Sequence, residues 1–242
     1  MLVTASGWAQ QAEFLATVNR ELAAIPPRQA YYPGAQARYQ AFLDKYPQSE
    51  PLGARTPEIV PWTIIPDVSP VAGEYALTEE AFCGVLATVS IATDTAADFL
   101  TKAVEFANDL LWGTLSCTLI IDTQTQRQYQ PELDMAIASL KYGAIGVNIW
   151  SGTIFYLGST TWGAHPGNTL ADIGSEIGFV HNSYLFDRPQ KSVVYAPFRI
   201  FPTPMWFAAH RNLLGMARQL LKFEADPTWQ NLPGVLLAAL GG

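Results

Sequence analysis

Cysteine and histidine are scarce, with two of one and three of the other in 242 residues. Cys83 and Cys117 lie far apart and form no CxxC or other metal-ligand spacing, and the histidines are scattered. No zinc site is expected, and a reducing cytoplasm suits the chain best. Basic residues are few as well: 14 lysines and arginines against 21 acidic residues give a net charge of −7, and no basic cluster occurs. Nucleic acid is therefore not an expected partner. No run approaches the 18 apolar residues of a membrane span. The opening MLVTASGWAQQAEF has neither a basic n-region nor a sustained apolar h-region, so no signal peptide is expected. The tail LPGVLLAALGG is apolar but too short to cross a bilayer.

Charge is low altogether, at 14% of residues, while 49% are hydrophobic and seven are tryptophan. That balance excludes disorder. A chain of this length buries roughly three quarters of its unfolded surface, so its core needs neither disulfides nor metal. With so little charge to cover the exterior, some apolar surface is expected to lie against a partner.

Periodicity organises the chain. Leu2 to Thr4 forms the stub of a strand. Phe14, Leu15, Val18, Leu22 and Ile25 share one face of a helix from Trp8 to Ile25, which Pro26 and Pro27 stop. A second helix covers Ala35 to Lys45, with Tyr39, Phe42 and Leu43 on its apolar side. A proline-rich stretch follows, Pro47 to Gly73, with an extended piece at Trp62 to Ile65. Cys83 to Ile91 is a buried strand by its β-branched, apolar run. Thr93 to Thr95 offers an N-cap to a helix that ends at Gly113. Leu115 to Ile121 is a strand, Pro131 opens another helix, and Ala144 to Ile149 is a third strand.

This β-α-β-α-β order predicts an α/β fold, with a parallel or mixed sheet and helices on both faces. Ligands gather beyond the C-terminal ends of such strands, which singles out Ala92, Asp122 and Asn148 to Trp150. A connection with six glycines runs from Ser151 to Gly178, a length that is often functional. Ser192 to Ala196 reads as a strand, and Met205 to Phe223 as an amphipathic helix. The expected division is a main domain over residues 1–196, which includes the glycine-rich loop 151–178, and a helical extension over 197–242.

Several short motifs follow one another in a fixed order. Glu80, Phe82 and Val85 stand immediately before the first strand of the β-α-β unit. Ala107-Asn108 comes next, then Gly113-Thr114-Leu115-Ser116 and Val147-Asn148. Trp162-Gly163, Gly174-Ser175-Glu176-Ile177-Gly178 and Lys191-Ser192-Val193 complete the series. Over residues 75–195 this series resembles the catalytic-domain portion of the aldehyde dehydrogenase superfamily, which carries Glu-x-Phe-Gly-Pro-Val at the first of these places. Here Cys83-Gly84 replaces Gly-Pro. The resemblance implies that the family's nucleophilic cysteine would lie just before the Leu2–Thr4 strand. Its general-base glutamate and the phosphate-binding glycines of its NAD(P) domain would lie further upstream. No Gly-x-Gly-x-x-Gly follows a predicted strand in these 242 residues.

By the same resemblance, Glu80 would accept hydrogen bonds from the ribose hydroxyls of the nicotinamide half of NAD or NADP, and Phe82 would pack beside them. Residue chemistry alone reads this segment as a solvated acidic pair followed by a core phenylalanine. Asn148 is expected to hold its strand end by side-chain hydrogen bonds. Trp150, Phe155 and Trp162 either line an aldehyde pocket or pack the loop. Cys83 and Cys117 read as core thiols rather than nucleophiles, and His165 and His181 as loop hydrogen-bonders. Two functions remain open. One is a partial aldehyde dehydrogenase, inactive alone, that needs an upstream cofactor-binding segment or a homo-oligomer and takes a small aldehyde. The other is a non-catalytic assembly or binding module that keeps the fold.

Overall fold

A computed structural model describes residues 1–207 and 210–242. In chain order the elements begin with β1 (Leu2–Ala5), α1 (Gln11–Ala24), α2 (Ala35–Lys45), β2 (Glu50–Pro51), β3 (Thr63–Ile65), α3 (Tyr75–Thr78), β4 (Val85–Ile91) and α4 (Ala96–Asp109). They continue with β5 (Ser116–Leu119), α5 (Thr123–Gln128), α6 (Gln130–Ser139), β6 (Ala144–Val147), a 3-10 helix (Ser151–Tyr156), β7 (Trp162–Gly163), β8 (Phe179–Val180), β9 (Ser192–Tyr195), α7 (Leu213–Ala225) and α8 (Leu232–Leu240). The chain divides into two compact units. One is formed by Met1–Thr114, Gln124–Lys141 and Ala171–Ser175, the other by Leu115–Thr123, Tyr142–Leu170 and Glu176–Gly242.

The first unit holds a mixed sheet in the order β1-β4-β3-β2. β4 runs parallel to β1, from Leu2↔Thr88 to Ala5↔Ile91, and parallel to β3 on its other edge. The antiparallel β2 closes the far side. Its Pro51 fits there because an edge strand can spare a donor. Ala87 and Val89 of β4, Ile65 of β3, Phe42 and Tyr46 at the end of α2, and Phe106 of α4 form the core with Val68 and Leu77. Thr95 caps α4, its hydroxyl accepting from Asp98 N at 3.2 Å. Asn108, at the end of α4, donates to Ser139 O at 2.9 Å and accepts from Lys141 N at 2.8 Å. The Asn of the Ala107-Asn108 motif thus fastens the C-terminus of α6.

The second unit is built on a parallel sheet, β5-β6-β9. β6 is its middle strand and is buried throughout, which explains a run with no polar residue. β7 and β8 pair antiparallel, Trp162↔Val180 and Gly163↔Phe179. α7 packs with α8, where Asn212 Nδ2 donates to Ala238 O at 3.1 Å.

The α/β class is as the sequence predicts, with both parallel and mixed sheets. The partition differs from a single β-α-β-α-β sheet. Both edges of β4 are taken, by β1 and β3, so β5 and β6 pair with each other and with β9 instead. The first helix starts at Gln11 rather than Trp8, because Trp8 to Gln10 form a turn closed by Gln11 N donating to Trp8 O. Its predicted apolar face is only half-buried. The Met205–Phe223 segment includes residues 208 and 209, which lie outside the described residues. Within it, helix begins at Leu213. Among the described residues no helix is long and apolar enough to cross a membrane.

Candidate functional site

Glu80 and Phe82 lie in the first unit, on the loop between α3 and β4. Three contacts fix this loop. Thr63 N donates to Gly84 O at 2.8 Å, and Val85 N donates to Cys83 O at 2.8 Å. Trp62 lies against Gly84 so closely that a Cβ there would stand 2.5 Å from the indole Cε3. That contact explains the departure at Cys83-Gly84: a proline at position 84 would drive its ring into Trp62. Glu80 is exposed and makes no hydrogen bond or ion pair among the described residues.

Phe82 is 45% exposed and adopts a left-handed backbone, φ 47°. It is therefore not the core phenylalanine that residue chemistry alone suggests. For a residue with a bulky side chain this backbone costs about 1–2 kcal/mol, so its surroundings must hold it. The Arg38 guanidinium stands 5.4 Å from the ring centroid, and Tyr32 meets the ring edge-on at 5.2 Å. Neither residue carries a motif that would single it out in the sequence.

The other four predicted residues lie in the second unit. Asn148 follows β6 in a left-handed conformation, φ 59°, which asparagine tolerates. Its Oδ1 accepts from Ile121 N at 2.9 Å, and its own N donates to Leu119 O at 2.8 Å. Asn148 thus ties the ends of two parallel strands, the strand-end role expected of it. Trp150 precedes the 3-10 helix, and its indole lies across Gly152, where a Cβ would stand 2.4 Å from Cζ2.

Phe155 and Trp162 meet edge-on at 5.7 Å, and the His181 ring joins Phe155 at 5.0 Å. His181 is no loop hydrogen-bonder at Nδ1: that atom is buried and has no hydrogen-bond partner among the described residues. His165 does behave as expected, its Nδ1 lying 3.0 Å from Pro166 O. An open groove of about 430 Å³ borders the glycine-rich stretch, lined by residues including His165, Asn168, Glu176, Phe179 and Arg188.

Gly163 of this stretch serves close approach, as does Gly143 just before β6, whereas Gly158, Gly167 and Gly178 border open space. A Cβ on Gly163 would stand 2.4 Å from Gly178 O, and one on Gly143 only 1.8 Å from Gly163 O. Asn168 Nδ2 donates to Glu176 O at 2.7 Å, which closes the loop between them.

Neither thiol is primed for attack. Burial raises the Cys83 pKa, with the Arg38 charge pulling it the other way. Burial pushes Cys117 up to about 11. No group of three or more potential metal ligands occurs among the described residues.

Compared with protein-family models the sequence matches none, and no curated protein is significantly similar to it. Solved structures are similar. A P. syringae indole-3-acetaldehyde dehydrogenase, in complex with NAD+ and IAA, shares 15% identity over 67% of this chain and 32% of its own, with a TM-score of 0.51. A Mycobacterium tuberculosis aldehyde dehydrogenase complexed with NAD+ shares 17% over 67% of this chain and 33% of its own, at 0.49. A Sinorhizobium meliloti NAD-dependent aldehyde dehydrogenase shares 17% over 68% and 32%, at 0.49. The chain spans about a third of the length of these enzymes. At this identity the likeness is one of fold: the chain has the fold of part of an aldehyde dehydrogenase.

Proposed function

We propose that the chain is the substrate-side part of an NAD(P)-dependent aldehyde dehydrogenase, an enzyme that oxidises a small aldehyde to a carboxylic acid. The observation that carries this reading is the Glu80-x-Phe82 pair. Both side chains are exposed, on a loop fixed at the start of β4 in a fold of this kind. The carboxylate of Glu80 is free to accept hydrogen bonds from two neighbouring ribose hydroxyls, and the exposed face of Phe82 suits packing against the same nucleoside. NAD or NADP held there would supply the hydride acceptor. Asn148 orders the strand end beside which Trp150, Phe155 and Trp162 would exclude water from the aldehyde. The reducing cytoplasm is the compartment that fits two free thiols.

The pair touches one end of a large ligand, so affinity for NAD+ is expected to be weak. Saturation-transfer NMR reads weak binding directly. Transfer is expected to the protons of the nicotinamide ribose, little to the adenine, and none in Glu80→Ala. Micromolar affinity by calorimetry would overturn the expectation of weak binding, and transfer centred on adenine would sink the reading.

A second role, as an assembly module, is favoured by the surface of the C-terminal helices. Leu213, Leu214 and Leu221 of α7, Trp229, and Leu236, Leu237 and Leu240 of α8 are all exposed. The chain is expected to form a dimer or larger homo-oligomer, with Ser192 to Ala196 or the Met205 to Phe223 segment at the contact. Light scattering over a concentration series checks this: a constant mass near 26.5 kDa would refute it.

A further inference from the structure

Arg38 lies in the first turn of α2, a helix whose N-cap, Gly34, offers no side-chain cap. Its side chain folds back over that glycine, since a Cβ on Gly34 would come within 3.2 Å of Nη1. From there Nη2 donates to Pro33 O at 3.0 Å and Nε donates to Ala81 O at 3.1 Å. The carbonyl of Ala81 belongs to the peptide between the two ligand-facing residues. The same guanidinium stands over the Phe82 ring, and Tyr32, edge-on to that ring, also meets Tyr31 at 5.1 Å. One cation thus fixes the backbone of the loop and the side chain that the loop presents.

This is the work that a left-handed Phe82 requires. In that conformation the ring leaves the backbone in a different direction from an extended residue, and nothing in the residue itself favours it. Arginine suits the task because its planar fork gives donors in two fixed directions while its face lies on an aromatic ring. A lysine offers a point charge and cannot meet both demands in one geometry.

We propose that Arg38, backed by Tyr32, is a positioning residue that holds Glu80 and Phe82 in the pose in which they meet the nicotinamide ribose. The proposal rests on the dehydrogenase reading of that pair. Arg38 acts through the Ala81 carbonyl and the Phe82 ring and touches no ligand itself.

The test uses the full chain with 4-fluorophenylalanine at position 82, followed by fluorine NMR. The parent protein is expected to give a resonance well displaced from that of the free amino acid. Arg38→Gln and Arg38→Met keep much of the side-chain length and remove the fork and the charge. In both, the resonance is expected to move toward the free value while the thermal midpoint changes little. Arg38→Lys should fall between. Saturation transfer from the parent to the nicotinamide ribose of NAD+ should drop by about fivefold or more in the Gln and Met variants, the equivalent of one lost cation–π contact.

A resonance that is unchanged in both variants would overturn the proposal. So would failure of both to fold, which would make Arg38 a structural residue only. If the parent shows no transfer to NAD+ while the fluorine signal still moves, the ribose reading has failed and the hold of Arg38 on the loop stands. The two failures are thereby distinguishable.

Discussion

Gly143→Ala is expected to destabilise the second unit by about 3 kcal/mol or more, toward the upper end of the cost of overpacking. The added methyl carbon would stand 1.8 Å from Gly163 O and 2.8 Å from Ala164 C. Both are backbone atoms, so no rotamer change relieves the clash. The backbone here is also committed from both sides. Gly143 O accepts from Ser192 N at 2.8 Å, and the Ser192 hydroxyl donates to Thr161 O at 2.7 Å. Relief therefore requires the Thr161–Ala164 segment to lift from the start of β6 and β9. A matched control is Gly158→Ala, where nothing lies within 4 Å of the new atom. That change should be neutral, or stabilising by up to about 1 kcal/mol through the unfolded chain. Urea denaturation of the two variants side by side checks both expectations. Equal midpoints would show that the close layering at Gly143 is not a constraint.

Part of the molecule is legible from local pattern. α2 falls on the predicted Ala35 to Lys45 because Tyr39 and Phe42 recur at helical spacing and both are buried. β6 is legible because a strand buried on both faces leaves an apolar run between Gly143 and Asn148. α8 falls within the helical extension expected over 197–242, but its bounds are hidden for the opposite reason. LPGVLLAAL has no polar residue, so nothing in it sets a helical phase. The sheet partition was hidden too. Which strands take the two edges of β4 is decided by residues 2–5 and 63–65, and pairings over such separations leave no trace in the spacing of any one segment.

The site divides in the same way. Glu80 and Phe82 are marked in the sequence because they lie two residues apart in a recognisable motif. Asn148 is marked because it ends a strand. Arg38 and Tyr32 are not, since they reach Phe82 from more than forty residues away and nothing in their own neighbourhood singles them out. Gly34, four residues before Arg38, is the one local sign that a side chain folds back there. The neighbours of His181 in sequence suggest only a loop hydrogen-bonder, and the fold brings its ring to Phe155.

The purified 242-residue chain is expected to show no oxidation of aldehydes with NAD+ or NADP+ above a blank. The reaction needs a thiolate that can reach a carbonyl carbon beside the hydride acceptor. Cys117 is held to a pKa of about 11, so at pH 8 only about one molecule in a thousand carries that thiolate. It also sits within the parallel pairing of β5 with β6, opposite Ile145. Cys83 is half-buried, and burial raises its pKa as well. Its carbonyl is bonded to Val85 N, and the following glycine is pressed against Trp62, which leaves the residue little freedom to approach a substrate. Raising the pH from 8 to 9.5 populates more thiolate at both positions without altering either enclosure, so turnover should remain at the blank across that range. The measurement is cofactor reduction followed at 340 nm with a panel of short aliphatic and aromatic aldehydes, for the parent and for Cys83→Ala. Turnover that is clearly present in the parent, lost in Cys83→Ala and rising with pH would make Cys83 the nucleophile and overturn both the expectation and the assignment of this thiol as inert.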